Sequence, residues 1–136
     1  MKSLILQPEI PLEEVEAMWL FNKILQHEML MPELRWLFHV PNGGWRNVTV
    51  GAKLKREGVR RGVPDYIWPL CRDGYPGFYL ELKRVKGGGL EPEQKEYRDW
   101  LVSQGYRWVM CRGAAEAWEA IMAYHALQEH QPVGTA

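Results

Sequence analysis

The chain has 136 residues and a hydrophobic fraction of 46%, a composition typical of one globular domain that buries a core of its own. Because no apolar run reaches the length of a membrane span, about 18 residues, and the N-terminus lacks the pattern of a secretory signal, we expect a cytoplasmic protein without a membrane partner. The 17 acidic and 17 basic side chains cancel, which argues against a protein that coats nucleic acid with its whole surface.

Three elements are predicted in the first half of the chain. Pro11, which is tolerated in a first helical turn, opens a helix whose apolar side chains recur at helical spacing to about Gln26. Alternating apolar and polar side chains over residues 34–40 then predict a strand, which ends in the turn sequence of residues 41–44. A short basic helix is expected over residues 50–56.

The second half of the chain carries five predicted elements. These are strands over residues 65–70, 78–84 and 106–111, and helices from Pro92 to Gly105 and over residues 114–127. Three consecutive glycines, residues 87–89, predict a flexible break between them. The order of elements, helix, strand, short helix, strand, strand, helix, strand, helix, implies an α/β fold with a mixed four-stranded sheet flanked by helices. We expect one domain over residues 1–136, with loose ends at about 1–10 and 129–136.

Acidic and basic side chains recur at strand spacing in the middle of the chain. In an extended strand over residues 78–84, Glu81 and Lys83 point to the same face. Asp65, on the preceding strand, adds a second carboxylate if the two strands are neighbours. Two carboxylates, with the backbone carbonyl of Leu82 as a third oxygen, match what Mg²⁺ or Mn²⁺ requires. A Glu-x-Lys triplet taken alone is more typical of a surface ion pair, so the prediction depends on the combination.

Basic residues concentrate around these acids. Residues 1–40 carry 3 basic and 6 acidic side chains, residues 41–86 carry 10 and 4, and residues 87–136 carry 4 and 7. A local basic field suits a substrate rich in phosphate, although a charge run taken alone is more often a solvated helix face. The residues expected to contact nucleic acid are Lys53, Arg60, Arg61 and Lys86, together with Asn42, Gly43 and Gly44, for which an ordinary hairpin turn is the alternative.

Four stretches of the chain resemble, in the right order, the VRR-NUC family of the PD-(D/E)xK nuclease superfamily. They are residues 38–44, 58–65, 81–83 and 90–95, and the likeness extends from about residue 14 to about residue 124. The resemblance implies a restriction-endonuclease-like core and DNA hydrolysis that depends on Mg²⁺ or Mn²⁺, with no small-molecule cofactor.

The resemblance also implies particular site residues. The catalytic residues would be Asp65, Glu81 and Lys83, supported by Gln94 early in the helix after the lysine strand. The family has a metal-facing glutamate on its first helix, for which Glu13, Glu14 and Glu16 are all candidates here. We prefer Glu14 because it shares a helical face with two apolar residues of the packing stripe.

Small stand-alone members of the family are similar to symmetric enzymes that resolve branched DNA. The resemblance therefore implies a structure-specific endonuclease of a bacterium or phage, which acts as a homodimer on a Holliday junction or other branched DNA in repair or recombination. Apolar residues 4–6 and the surplus aromatic side chains could build the dimer interface. Two alternatives remain open: a module on the same fold that binds nucleic acid without cutting it, and a protein-binding fold in which Glu81–Lys83 and Asp65–Arg61 are structural ion pairs.

Overall fold

A mixed four-stranded sheet forms the centre of the molecule. The computed structural model describes residues 10–41 and 48–129. The strands are β1 (Phe38–His39), β2 (Tyr66–Trp68), β3 (Phe78–Lys83) and β4 (Arg107–Arg112), arranged in that order across the sheet. Neighbours β1 and β2 are antiparallel, as are β2 and β3, whereas β3 and β4 are parallel. The α/β fold with a mixed sheet is therefore confirmed.

Helices flank this sheet. They are α1 (Glu13–His27), α2 (Val48–Arg56), α3 (Pro92–Ser103) and α4 (Ala114–His125). Helices α1 and α4 pack against each other and against β3, while α3 joins β3 to β4 and packs against β4. Because β3 and β4 run in parallel, the chain has to cross the sheet between them, and α3 supplies that crossover. None of the described helices has the length and apolar character needed to cross a membrane.

Strand β3 separates the core from the candidate site. Its residues Phe78, Leu80 and Leu82 are at most 2% exposed and pack with Leu20 of α1 and Ile121 of α4. This period-two arrangement is the one expected from the sequence of the strand. Since the opposite face carries the polar residues of β3, hydrophobic packing on one face fixes the direction of the chemical groups on the other.

The predicted strand over residues 34–40 is wrong in its first half. Residues Pro32–Trp36 form a 3₁₀-helix, and only Phe38–His39 pair in the sheet. The buried side chains, Leu34 and Leu37, are three residues apart, which matches the period of a 3₁₀-helix. Trp36 and Phe38 are instead 60% and 49% exposed. The alternating apolar positions thus combine one buried residue, Leu34, with two exposed aromatic residues, Trp36 and Phe38.

The two cysteines lie in different surroundings. Cys111 is buried on β4, where it pairs with Leu82 of β3, and burial raises the pKa of its thiol to about 12. Cys71 follows β2 at the opposite end of the sheet from Lys83 and is partly exposed. Both are free thiols, so the structure contains no disulfide between them.

Candidate active site

Asp65 is held at the start of β2 by hydrogen bonds on both sides. Its main-chain carbonyl accepts a hydrogen bond from the Val40 amide at 2.7 Å, which continues the pairing with β1. Its Oδ2 atom accepts one from the Leu82 amide, also at 2.7 Å. The carboxylate therefore projects toward β3 and cannot turn to solvent without breaking a bond to the backbone.

Pro64 interrupts the hydrogen-bond ladder between β2 and β3 next to Asp65. The register places Tyr66 opposite Leu80, and continuing it by two residues puts Pro64 opposite Leu82. Proline has no N–H, so it cannot donate to the Leu82 carbonyl as the ladder would require. The carbonyl of Leu82 thus receives no hydrogen bond from Pro64, while the amide of the same residue is bound by the Asp65 carboxylate.

Glu81 is a buried carboxylate with one paired and one unpaired oxygen. The residue is 2% exposed. Its Oε1 atom accepts a hydrogen bond from Gln94 Nε2 at 2.8 Å and lies 3.8 Å from Lys83 Nζ. Its Oε2 atom is buried and has no hydrogen-bond donor among the described residues. An unpartnered oxygen in such a place costs free energy unless a proton or a cation satisfies it.

The ionisation of the Asp65 carboxyl group affects that of the Glu81 carboxyl group, and the reverse. Burial, and then the charge of Asp65, raise the pKa of Glu81 to about 9, while Lys83 acts in the opposite direction. Burial also raises the pKa of Asp65, against the lowering effect of its bond to the Leu82 amide. The two side chains are close enough to share a proton. Without a further positive charge, they cannot both be ionised at neutral pH.

A hard divalent cation fits this arrangement. Mg²⁺ and Mn²⁺ prefer oxygen ligands, and the site offers carboxylates from Asp65 and Glu81, with the carbonyl of Leu82 next to the amide that Asp65 binds. In the described part of the chain, no group of three or more His, Cys, Asp or Glu side chains is arranged to hold a metal. A cation would therefore depend on these few protein oxygens and on water or substrate oxygens, which is the usual situation for Mg²⁺.

Gln94 is fixed at both ends of its amide group. Its Oε1 atom accepts a hydrogen bond from the Glu91 amide at 2.8 Å, which is one half of a capping box, and its Nε2 atom donates to Glu81. The start of α3 and the acidic site are thereby joined through one side chain. The Glu91-x-x-Gln94 spacing could have signalled the capping arrangement from sequence, whereas the bond to Glu81 could not be foreseen.

Gly62 allows α3 to approach the site. It has φ +89°, and a Cβ atom at this position would lie 2.4 Å from the main-chain oxygen of Glu93 in the first turn of α3. Only glycine fits both the backbone conformation and the contact. This role was missed by sequence reasoning, because the contact joins residues that are 31 positions apart.

The three acidic candidates on α1 have different surroundings. Glu14, the residue preferred from sequence, is exposed. Glu16 accepts a hydrogen bond from the Ala114 amide at 2.6 Å and so caps α4. Glu13 is partly buried, and its charge contributes to the raised pKa of Glu81. Glu13 is therefore favoured over Glu14 as the α1 carboxylate that acts on the site, because it lies on the packed face of α1 and Glu14 does not.

Four of the seven residues expected to contact DNA lie in the described part of the chain, and all four are exposed. Arg60, Arg61 and Lys86 are exposed, and Lys53 on α2 lies 3.8 Å from Glu57, one helical turn away. These positions are compatible with a basic surface but do not by themselves identify a ligand. The other three predicted contacts, Asn42, Gly43 and Gly44, lie outside the described residues.

Comparison with known proteins supports the resemblance inferred from sequence. No protein-family model and no curated protein matches the sequence. A solved structure described as "VRR_NUC domain protein" matches with a TM-score of 0.76 and 26% sequence identity, over 93% of this chain and 98% of that chain. This similarity suggests a nuclease. The resemblance to the VRR-NUC family is thus confirmed by a shared fold, and the chain is similar over nearly its whole length to a VRR_NUC domain protein.

Proposed function

We propose that this protein is an endonuclease that hydrolyses DNA phosphodiester bonds with Mg²⁺ or Mn²⁺. The observation that carries the proposal is the grouping of Asp65, Glu81 and Lys83 in one site, where the second carboxylate oxygen of Glu81 is buried and has no donor among the described residues. A shared fold with a VRR_NUC domain protein supports the same class of activity.

Each residue has a role that follows from its contacts. Asp65 and Glu81 would hold the cation, with Leu82 supplying its carbonyl oxygen. When bound, such a cation neutralises charge on the phosphate and lowers the pKa of an attacking water molecule. Lys83, 14% exposed and 3.8 Å from Glu81, is placed to stabilise negative charge that develops on the phosphate or the water. Gln94 keeps the Glu81 carboxylate in position.

A cleavage assay tests this function. Purified protein would be incubated with supercoiled plasmid, single-stranded DNA and a four-way junction, each with Mg²⁺, with Mn²⁺ and with a chelator. We expect cutting with either metal and none with the chelator. Intact DNA under every condition would contradict the proposal and would leave the non-catalytic nucleic-acid-binding module as the better description.

The acidic pair argues against that non-catalytic alternative. Two carboxylates beside a DNA phosphate repel it when no cation is bound. A protein that only binds DNA would gain affinity by losing Asp65 or Glu81, and it has no need to bury Glu81 at a cost in free energy. The site therefore favours a metal-dependent reaction over simple binding.

We further propose that the enzyme is a homodimer that pairs through the outer face of α1. This face, the α1 surface, comprises Met18, Phe21 and Leu25, with Trp36 and Phe38 beside it, each 48–60% exposed. A groove of about 690 Å³ runs along it. Contiguous exposed apolar surface of this kind is unusual on a monomer. Glu28 and Arg35 line the same groove, so a two-fold axis would set opposite charges against each other across the interface.

The oligomeric state of a matched pair of variants tests the dimer. Leu25→Lys places a charge in the α1 surface, whereas Val102→Lys does the same at a similarly exposed position on α3. Sedimentation should show a dimer for the parent and for Val102→Lys and a monomer for Leu25→Lys. A monomeric parent at micromolar concentration would contradict the interface.

A two-fold dimer presents two equivalent sites, which suits a branched substrate of approximate two-fold symmetry. We therefore propose four-way junctions or related branched DNA as the preferred substrate. Comparing cleavage rates on a junction, a replication fork, a flap and a linear duplex of the same arm sequences tests this preference. Equal rates on all four would contradict it without affecting the assignment as a nuclease.

A further inference from the structure

The glycine loop after β3, residues 87–89, is tied down by one arginine. Arg112 of β4 donates from Nη1 to the carbonyls of Arg84 at 3.2 Å and Gly87 at 3.0 Å, and from Nη2 to the carbonyl of Gly88 at 2.7 Å. The sequence predicted only a flexible break here. The structure instead binds two of the three glycines, Gly87 and Gly88, through their carbonyls to the planar donor fork of one guanidinium.

These bonds determine where the amides of the loop point. A trans peptide is planar, so its N–H lies opposite its C=O, and the described residues contain no cis peptide. Because the carbonyls of Gly87 and Gly88 face Arg112, the amides of Gly88 and Gly89 face away from it. Neither amide donates to another described residue, and both glycines are exposed. Gly88 has φ +63°, a conformation that lets successive amides converge as an anion-binding nest.

The loop also lies next to the candidate site. It begins four residues after Lys83, whose carbonyl accepts a hydrogen bond from the Gly113 amide at 2.8 Å, next to Arg112. It ends at α3, where Gln94 contacts Glu81. Arg112, which holds the loop, pairs with Lys83 in the parallel register of β3 and β4, so the loop is anchored beside the end of β3 that carries the acidic site. Lys83 and Lys86 both precede the loop in this stretch of the chain and add positive charge to it.

We propose that the amides of Gly88 and Gly89 bind an oxygen of a DNA phosphate adjacent to the one that is cut, and that Arg112 is the positioning residue that aims them. This inference rests on the proposed function, since it names a substrate contact of the same site. Backbone amides contact phosphate without reading sequence. The contact would fix the register of the strand while the acidic site acts on the neighbouring phosphodiester.

A matched pair at Gly89 separates the amide from the rest of the loop. Gly89 lacks a positive φ, and a Cβ there would meet nothing within 4 Å. Gly89→Ala therefore keeps the N–H without a clash, whereas Gly89→Pro removes it. We expect Gly89→Ala to cleave like the parent and Gly89→Pro to cleave about tenfold more slowly at limiting DNA, the loss of one hydrogen bond to a charged group. Equal activity of the two variants would overturn the proposal.

Nuclear magnetic resonance provides a readout that does not depend on cleavage. In ¹⁵N-labelled Lys83→Ala protein, which we expect to leave DNA intact, a four-way junction should shift the amide protons of Gly88 and Gly89 downfield. Adding Arg112→Lys, which keeps the charge but loses the fork, should abolish those two shifts while other DNA-dependent shifts persist. DNA binding that leaves both amides unshifted would overturn the loop contact.

The two experiments distinguish this proposal from the proposed function. If the two amides shift in the Lys83→Ala protein but the parent protein cuts no DNA, the loop is supported as a phosphate contact and the nuclease is contradicted. If the parent protein cleaves DNA but both amides stay unshifted in the Lys83→Ala protein, the nuclease is supported and the loop contact is contradicted. If no junction binds and none is cut, both proposals are overturned.

Discussion

Glu81 is a carboxyl group in a place that water barely reaches, and its neighbours determine what it can do. Gln94 satisfies one oxygen, Asp65 brings a second negative charge, and Lys83 is the nearest cation. The pKa of Glu81 is raised because the positive charge of Lys83 alone does not offset the effect of burying the Glu81 carboxylate. Such a site is costly for stability and is typical of a functional position rather than a structural ion pair.

Replacing Lys83 tests whether its positive charge is needed for the cleavage step. We expect Lys83→Ala to lower the cleavage rate at saturating DNA by at least about 100-fold, because a preorganised positive charge beside the developing anion is lost. The dissociation constant for DNA should change little, since the side chain is only 14% exposed. Single-turnover cleavage and fluorescence anisotropy measure the two quantities.

Lys86→Ala provides the control for that experiment. Lys86 is exposed and lies three residues further along, so its loss should weaken DNA binding and leave the rate at saturating DNA unchanged. A Lys83→Ala enzyme that retains the full rate at saturation would contradict the role assigned to the lysine.

The grouping of Asp65, Glu81 and Lys83 was predictable from the sequence because strand periodicity is a local rule. Glu81 and Lys83 share a face for that reason, and Asp65 joins them because β2 and β3 are consecutive and antiparallel. The choice among glutamates on α1 could not be made from sequence. It depends on the rotation of a whole helix against the sheet, which no local pattern determines.

Helix α3 is the element whose position matters most to the site. It is brought in by the close contact of Gly62 with the Glu93 carbonyl, and its first turn carries Gln94. A shift of the helix away from β3 would lengthen the 2.8 Å bond between Gln94 and Glu81. The glycine is therefore a structural determinant of the chemistry although it touches no substrate.

Comparing Gly62→Ala with Gly58→Ala tests this dependence. Both glycines have positive φ, +89° and +95°, but a Cβ at position 58 meets nothing within 4 Å. Each variant should lose about 1 kcal/mol from the strained backbone. Gly62→Ala should lose at least a further ~1 kcal/mol, because the Glu93 backbone has to move. Urea denaturation measures the difference in the free energy of unfolding.

Activity provides the second comparison for the same pair. At a temperature where both are folded, we expect Gly62→Ala to cleave more slowly than Gly58→Ala, since the Gln94 contact is displaced. Equal stability and equal rates would show that α3 does not depend on this contact.

The elements themselves were largely predictable, and the exception has a clear physical cause. Helices α1, α3 and α4 and strands β2, β3 and β4 appear where periodicity and turn residues predicted them, with shifts of a few residues at their ends. Residues 34–40 were assigned to one strand because period-two and period-three patterns coincide over so short a stretch. Pro32 at the start of the 3₁₀-helix was the signal that could have separated them.

For the molecule as a whole, the acidic site couples stability to pH and to metal. Below about pH 4.5 Glu81 is protonated in both the folded and the unfolded chain, so burying it requires no change in its protonation. Between about pH 4.5 and 9 the unfolded chain releases this proton while the folded chain retains it. The folded state binds more protons in this window, so metal-free stability falls as pH rises through it, by up to about 1.4 kcal/mol per pH unit.

Thermal unfolding with and without Mg²⁺ measures this coupling. We expect the metal-free melting temperature to fall between pH 6 and pH 9, by about 3 °C per pH unit. Saturating Mg²⁺ should raise the melting temperature more at pH 9 than at pH 6, because the cation favours the ionised carboxylates.

Glu81→Gln removes the titrating group and is the matched variant. Its metal-free melting temperature should vary less with pH, should exceed that of the parent at pH 9, and should respond weakly to Mg²⁺. A parent protein whose stability is the same at pH 6 and pH 9, or whose response to Mg²⁺ does not depend on pH, would contradict this view of the site.

The contrast between the two thiols has a practical consequence. Cys111 is shielded and keeps its proton far above neutral pH, whereas Cys71 is partly exposed at the end of the sheet away from Lys83. A maleimide dye should therefore label the unmodified chain at one position, remote from the acidic site. With labelled DNA arms, energy transfer from that dye would report how the protein sits on a branch point without any engineered cysteine.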